Sequence, residues 1–328
     1  MQKKVEDFIL SCSEMDFGPV NLSEEEIDFC SELNEEVISL CKSLPESLQT
    51  EALLLLLRCF KIPFGQEFSF FMNYYTPAWS IIYWLIQVGP TGKRLKQEDI
   101  RSAKTAHSMA LLLHPIDDHL NDKELPATHL TLLLRSQLWM VMNNALDRLA
   151  GTIDGGPEIV TDFLDDYYSS ITSSQEMLTL DSYCDRFRKQ MATGFIAPVL
   201  IMKKMSADEE FTHAVQSAYS SFGIAWRLLD DINDIKTDMM KGTKSAIYAC
   251  LSEDVKCHWV KNSEDKSGDG NCVILEYVMK NSIIDKIKEK MYTELKSAAA
   301  TLDHFNINGL ADEFRDLASP LMKRQNLL

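Results

Sequence analysis

The stretch Trp226-Arg-Leu-Leu-Asp-Asp-Ile-Asn-Asp-Ile-Lys-Thr-Asp-Met-Met-Lys-Gly242 sets Asp230, Asp234 and Asp238 four residues apart, with Asp231 beside the first. On a helix that spacing lines the carboxylates along one stripe, and Gly242 supplies the natural stop. Like charges at i,i+4 repel by about 0.2–0.5 kcal/mol per pair, so the stripe works against helix stability unless a divalent cation reverses the sign. Oxygen donors without Cys or His in the cluster point to Mg²⁺, which keeps part of its shell for water or phosphate oxygens.

A second stretch, His114-Pro-Ile-Asp-Asp-His-Leu-Asn-Asp122, repeats the theme. Asp118 and Asp122 are i,i+4, as are Asp117 and Asn121, and all follow the apolar turns Met109 to Leu113. They stand near the C-terminal end of their helix, where the macrodipole disfavours negative charge. Asp165-Asp166 has no such spacing and reads as solvated surface.

Helical signals extend in both directions from these clusters. Ser23-Glu-Glu-Glu26 is a capping box opening a helix to about Leu40. Further helices are expected at about 45–60, within the aromatic segment 64–89, and at about 97–121, 128–150 and 157–174. A helix over 180–204 should kink at Gly194 and Pro198. One long helix is expected over 207–241, a loop over 253–271, and helices over 272–304 and 308–324. No period-two alternation, repeat or linker interrupts this pattern. The fold class is all-α, one domain over 1–328, with the helices of 1–62 packing on the rest.

Composition agrees. Thirteen Gly and ten Pro in 328 residues are too few for many tight turns, and 45% hydrophobic residues suffice for one large core. A net charge of −16 argues against nucleic acid or an anionic membrane as partner. Eight cysteines without a CxxC, and a first segment without an apolar signal core, lead to the expectation of reduced thiols in a cytoplasmic protein. The longest apolar runs, 53–57 and 109–116, are far short of a membrane span.

Two Asp-rich helices in an all-α chain of this length resemble the class I isoprenoid synthases, the terpene cyclases and trans-prenyl diphosphate synthases. Asp117-Asp118-His-Leu-Asn-Asp122 is similar to the cyclase Asp-Asp-x-x-x-Asp/Glu motif. Asp230, Asp231, Asp234, Asp238 and Gly242 fall on the cyclase second motif, with Asp at its Ser/Thr and Glu positions. Gly223-Ile-Ala-Trp-Arg-Leu-Leu-Asp-Asp-Ile-Asn-Asp234 equally resembles the prenyl synthase Gly-x-Ala-Phe-Gln-x-x-Asp-Asp-x-x-Asp, with Arg227 in place of Gln. The prenyl synthase Arg-Arg after the first motif is replaced by Lys123-Glu-Leu-Pro-Ala-Thr128, and Gly92-Lys93-Arg94 lies nearer that motif than their Gly-Gly-Lys-Arg. No Arg-Tyr pair of the cyclase type stands near the C-terminus.

The resemblance implies a helical bundle around a central active-site cavity and a Mg²⁺-dependent terpene synthase acting on a C15 or C20 allylic prenyl diphosphate. A trans-prenyltransferase is the alternative. Three Mg²⁺ would be held by Asp117, Asp118, Asp122, Asp230, Asp234 and Asp238, with Asp117, Asp118, Asp230 and Arg186 catalytic. Arg186, Arg188, Lys189, Arg227 and Lys241 are the candidate diphosphate partners, and Phe71, Tyr75, Trp79, Phe195 and Trp226 the candidate walls for a carbocation. The expected partner is the small-molecule prenyl diphosphate, with no nucleic acid and no integral membrane segment, and a homodimer is left open.

Three other readings compete. A di-iron bundle needs two Glu-x-x-His pairs, and only Glu210-Phe-Thr-His213 exists. Asp265-x-Ser267-x-Asp269-Gly270 with Glu276 fits a Ca²⁺-loop spacing, but Val273 offers no ligand side chain and a flexible loop is the expectation. A helical interaction protein would leave both Asp clusters without metal.

Overall fold

The computed structural model describes residues 2–62, 69–71, 74–88, 95–121, 123–173, 179–265 and 269–322, and every regular element among them is helical. After α1 (Gln2–Ser13) an extended strap leads to α2 (Glu24–Lys42), α3 (Glu46–Cys59) and α4 (Pro77–Val88). The helix α5 (Gln97–Asn121) lies along α6 (His129–Ala150), followed by α7 (Gly156–Thr172), α8 (Leu180–Gln190) and α9 (Ala192–Lys204). Next come α10 (Glu209–Asn233), α11 (Ile235–Lys241), α12 (Ala246–Ala249), α13 (Glu253–Asp265) and α14 (Asp269–Lys280). The chain closes with α15 (Ile283–His304), α16 (Asn308–Ala318) and a 3₁₀ turn at Ser319–Met322.

Local chemistry explains the boundaries. The capping box of α2 is formed in both directions, with Ser23 Oγ accepting from the Glu26 amide and the Glu26 carboxylate accepting from the Ser23 amide. Thr128 caps α6 in the same way through the Thr131 amide. The apolar sequence of α9 is buried from Ala192 to Met202, as expected of a helix enclosed by α5, α7 and α4. No helix among the described residues is long and apolar enough to cross a membrane.

Four expectations need correction. The helix over 207–241 divides at Asp234, which caps α10, although the amides of Asp234 and Asp238 still bond to the carbonyls four residues back. The break in 180–204 falls at Met191, while Gly194 and Pro198 sit inside α9. The expected helix over 272–304 is two, α14 and α15, because Ser282 adopts a left-handed φ of 50°. Residues 253–265 and 269–271 are not a loop but α13 and the start of α14, the former anchored by Trp259, whose buried indole donates to the Thr243 carbonyl at 3.1 Å. Residues 266–268 of the Ca²⁺-type spacing lie outside the described residues, as does Gly92-Lys93-Arg94, and the backbone flanking 266–268 is helical.

One hydrophobic core runs from Cys12 to Leu321. The helices that carry the aspartates, α5 and α10, share no extensive contact, and α4 spaces them. The Ala78 carbonyl of α4 accepts from His107 Nε2 of α5 at 2.8 Å and from Tyr219 Oη of α10 at 2.9 Å. Burial lowers the pKa of His107 to about 4, so the imidazole is neutral. The two chain ends meet at α16. The Gly18 amide donates to the Leu317 carbonyl at 3.1 Å, and a Cβ at Gly18 would run into the Asp316 carbonyl.

Glu313 joins α16 to α4, accepting from Ser80 Oγ at 2.6 Å and Trp84 Nε1 at 2.5 Å. Burial pushes its pKa from the ordinary 4.5 up to about 8, so the folded protein holds a proton that the unfolded chain releases between those values. The stability this group contributes is full below the lower value and falls as pH rises towards the upper. Glu313→Gln should therefore flatten the decline of Tm between about pH 5 and 8, relative to wild type. Parallel melting curves for the two proteins across that range would refute this.

Candidate functional site

The buried stripe of α5 ends at Ile116, and the next two residues point in different directions. Asp117 faces α6 and α7. Arg135 Nε donates to its Oδ1 at 2.9 Å and Arg135 Nη2 to its Oδ2 at 2.8 Å, while Tyr167 Oη donates to Oδ2 at 3.0 Å. Asp118, about 100° further round the helix, is exposed and acts electrostatically on Asp230 of α10. The two acidic stretches are thus near enough for Asp118 and Asp230 to interact electrostatically. Asp122 lies outside the described residues.

On the opposite side, Asp230 and Asp234 are exposed and Asp238 is buried. Burial, with the nearby charges of Asp231, Asp234 and Asp118, pushes the pKa of Asp230 up to about 6. Burial and the charges of Asp231 and Asp234 push Asp238 up to about 7. Beneath them Asp231 is fully buried, accepting from the Ala246 amide at 2.7 Å and lying 3.1 Å from Arg227 Nε. Arg227 also donates to Tyr183 Oη at 2.8 Å and to Asp230 Oδ2 at 3.3 Å, and Asp231 holds the guanidinium firmly charged.

No three His, Cys, Asp or Glu side chains converge on one point among the described residues. Asp118, Asp230, Asp234 and Asp238 offer the donor type that a hard divalent cation takes, with room in its shell for phosphate oxygens. They are oxygen donors only, and their mutual repulsion is what a cation relieves.

The predicted basic residues separate into two groups. Arg186 and Arg227 line a small cavity of about 110 Å³ with Tyr183, Phe187, Gln190 and Lys244, beside the acidic stripe. Arg188 instead pairs with Asp185 and with Glu294 of α15, and Lys189 with Asp166 of α7 at 3.0 Å. Lys241 reaches across to Glu124 at 2.7 Å, tying the end of α11 to the turn after α5. Lys244 and Tyr183 escaped the sequence reading. Their only signals are that Lys244 follows Gly242 closely and that Tyr183 lies one helical turn before the basic run at 186–189. A larger cavity of about 390 Å³, lined by Phe163, Val199, Asp166 and Glu209 among others, holds none of the predicted site residues.

Aromatic rings bridge the gap between α5 and α10. Trp226, one turn before Asp230, meets Tyr74, Tyr75 and Phe222 at 5.6–5.8 Å between ring centroids, and Phe71 packs on Tyr74. The series continues through Tyr219 to Phe195. Trp79 is buried in α4. Tyr75 Oη donates to Asp16 of the strap at 2.5 Å, and Phe17 packs edge-on against the same ring.

Tyr74, missed from sequence, is placed by a proline. Pro115 has no amide hydrogen to give the Leu111 carbonyl, and Tyr74 Oη donates to that carbonyl at 2.9 Å. Tyr74→Phe should cost about 1–3 kcal/mol in wild type, the penalty of an orphaned buried carbonyl. In a Pro115→Ala background the helix amide can serve that carbonyl, so the cost should fall below about 1 kcal/mol. A urea-denaturation double-mutant cycle reads the difference, and equal costs in both backgrounds would rule the pairing out.

No family model matches this sequence, and no curated protein matches it. Solved structures do. Geranylgeranyl pyrophosphate synthase from Corynebacterium glutamicum ATCC 13032 superposes with a TM-score of 0.65 at 15% identity, over 96% of this chain and 97% of that one. The corresponding synthetase from Pyrococcus horikoshii OT3 gives 0.63 at 13% identity, over 98% and 100%. A polyprenyl synthase from Caulobacter crescentus CB15, complexed with calcium and isoprenyl diphosphate, gives 0.59 at 12% identity, over 87% and 97%. The chain therefore has the all-α fold of the trans-prenyl diphosphate synthases along nearly its whole length.

Proposed function

We propose that this chain, acting as one domain, ionises an allylic prenyl diphosphate with divalent metal and passes the prenyl group to an acceptor. The observation that carries this reading is that α5 and α10 each present an exposed aspartate, Asp118 and Asp230, with Trp226 packed on Tyr74 one turn below Asp230. The fold supports transfer over cyclisation, since the similar solved structures are polyprenyl and geranylgeranyl diphosphate synthases.

Asp118, Asp230, Asp234 and Asp238 would hold Mg²⁺, which when bound neutralises charge on the leaving diphosphate. Arg186, Arg227 and Lys244 border the small cavity beside the stripe and suit the phosphate oxygens. The allylic C–O bond breaks with its electron pair leaving on diphosphate. The rings of Trp226, Tyr75 and Tyr74 then face the cation, each worth about 0.5–2 kcal/mol when water is excluded. The π bond of an acceptor captures the cation, and the adduct loses a proton to restore neutrality at carbon.

Cyclisation of the same cation is the second reading. It is favoured by Lys123–Thr128 standing where an Arg-Arg pair follows the first motif of prenyl synthases. Incubation with geranyl, farnesyl and geranylgeranyl diphosphates, with and without isopentenyl diphosphate, separates the two. Transfer yields a longer diphosphate only when isopentenyl diphosphate is present, whereas cyclisation yields hydrocarbon or alcohol without it. Asp118→Ala or Asp230→Ala should each lower turnover by about 100-fold or more with helical content unchanged. Absence of pyrophosphate release with every substrate, in Mg²⁺ and in Mn²⁺, would sink both readings.

A further inference from the structure

The first acidic stretch contains adjacent aspartates that motif resemblance treats alike, and the structure treats them differently. Asp117 is filled by protein partners. Its two oxygens accept three hydrogen bonds, two from the Arg135 fork at 2.9 and 2.8 Å and one from Tyr167 Oη at 3.0 Å. A bidentate guanidinium–carboxylate pair is among the stronger and more directional contacts available to a carboxylate.

The clamp is itself supported. The Arg135 guanidinium lies over the Trp139 ring at 5.4 Å, and Trp139 packs on Tyr168 at 5.6 Å. His114, one turn before Asp117 on α5, meets the edge of Tyr167 at 5.7 Å and shares a 2.8 Å hydrogen bond with Thr193 of α9. Asp117 therefore belongs to a network joining α5, α6, α7 and α9. Asp118, about 100° further round α5, lies outside this clamp on the exposed side of the helix.

We infer that Asp118 is the cation-facing carboxylate of this pair and that Asp117 is a structural clamp which keeps Arg135 and Tyr167 when metal binds. The inference rests on the reading of the site as a divalent-metal diphosphate site. It narrows the set of metal-holding aspartates that sequence resemblance implies.

The test is binding of Mn²⁺ to the intact protein in the presence of inorganic pyrophosphate, followed by the free-ion EPR signal, alongside thermal unfolding. Asp118→Asn should weaken Mn²⁺ binding at least tenfold with little change in Tm. Asp117→Asn should keep the Mn²⁺ affinity within threefold while lowering Tm. If Asp117→Asn does not fold, the double variant Asp117→Leu/Arg135→Leu replaces the ion pair by packing and should also bind Mn²⁺ within threefold of wild type. Tenfold or greater weakening in a folded Asp117 variant overturns the inference and leaves the proposed function standing. Absence of Mn²⁺ binding in wild type overturns the metal site itself, and the assignment with it.

Discussion

The acidic side of this molecule rests on one half-buried cation, Arg227. Arg227 lies one turn below Asp230, against Asp230, Asp231 and the Tyr183 hydroxyl, and it offsets negative charge at the end of α10. Removing one partner of a buried pair leaves an uncompensated charge, typically at a cost of about 3–5 kcal/mol. Asp231 and Asp230 are neighbours in sequence with opposite assignments. The first is buried against Arg227 and the Ala246 amide, and the second is exposed, with a 3.3 Å contact to Arg227 holding it. The same division recurs on α5, where Asp117 is consumed by Arg135 and Asp118 is presented. Each helix thus has one aspartate of the pair held by an arginine and the other exposed, the order being reversed between α5 and α10.

The gap exists because α4 stands between the two Asp-bearing helices. A single carbonyl, Ala78, receives His107 from one side and Tyr219 from the other, so the spacing of α5 and α10 is set by hydrogen bonds rather than by direct contact. Aromatic side chains then occupy the space that the spacer opens. Their order from Tyr75 through Trp226 and Phe222 to Tyr219 and Phe195 leads from the acidic mouth into the interior. Phe222, Tyr219 and Phe195 are buried, each ring packed on the next.

Much of this was legible in the sequence, and what escaped has identifiable causes. Capping chemistry and apolar periodicity located α2, α5, α6 and α7 closely because these signals are local. The two carboxylate stripes were legible for the same reason. Arg135 was not, since nothing in Leu134-Arg135-Ser136 announces that its partner is eighteen residues back on another helix. Arg186 and Arg188 looked equivalent in sequence, yet they are about 200° apart on α8, and Glu294 of α15 claims only the second. The polar composition of 253–271 concealed α13, whose anchor is one tryptophan buried against a turn distant in sequence. Tyr74 was invisible because its role depends on a missing hydrogen at Pro115.

The strap between α1 and α2 ties the aromatic wall at Tyr75 to α16. Asp16 and Phe17 form part of the wall at Tyr75, and Gly18 is held by the backbone of α16 at Leu317. These partners are separated by about 300 residues, and contacts of such separation form late because loop closure precedes any gain from them. The strap-side wall at Tyr75 is therefore complete only once α16 is in place, and a change in the packing of α16 reaches that wall through Gly18.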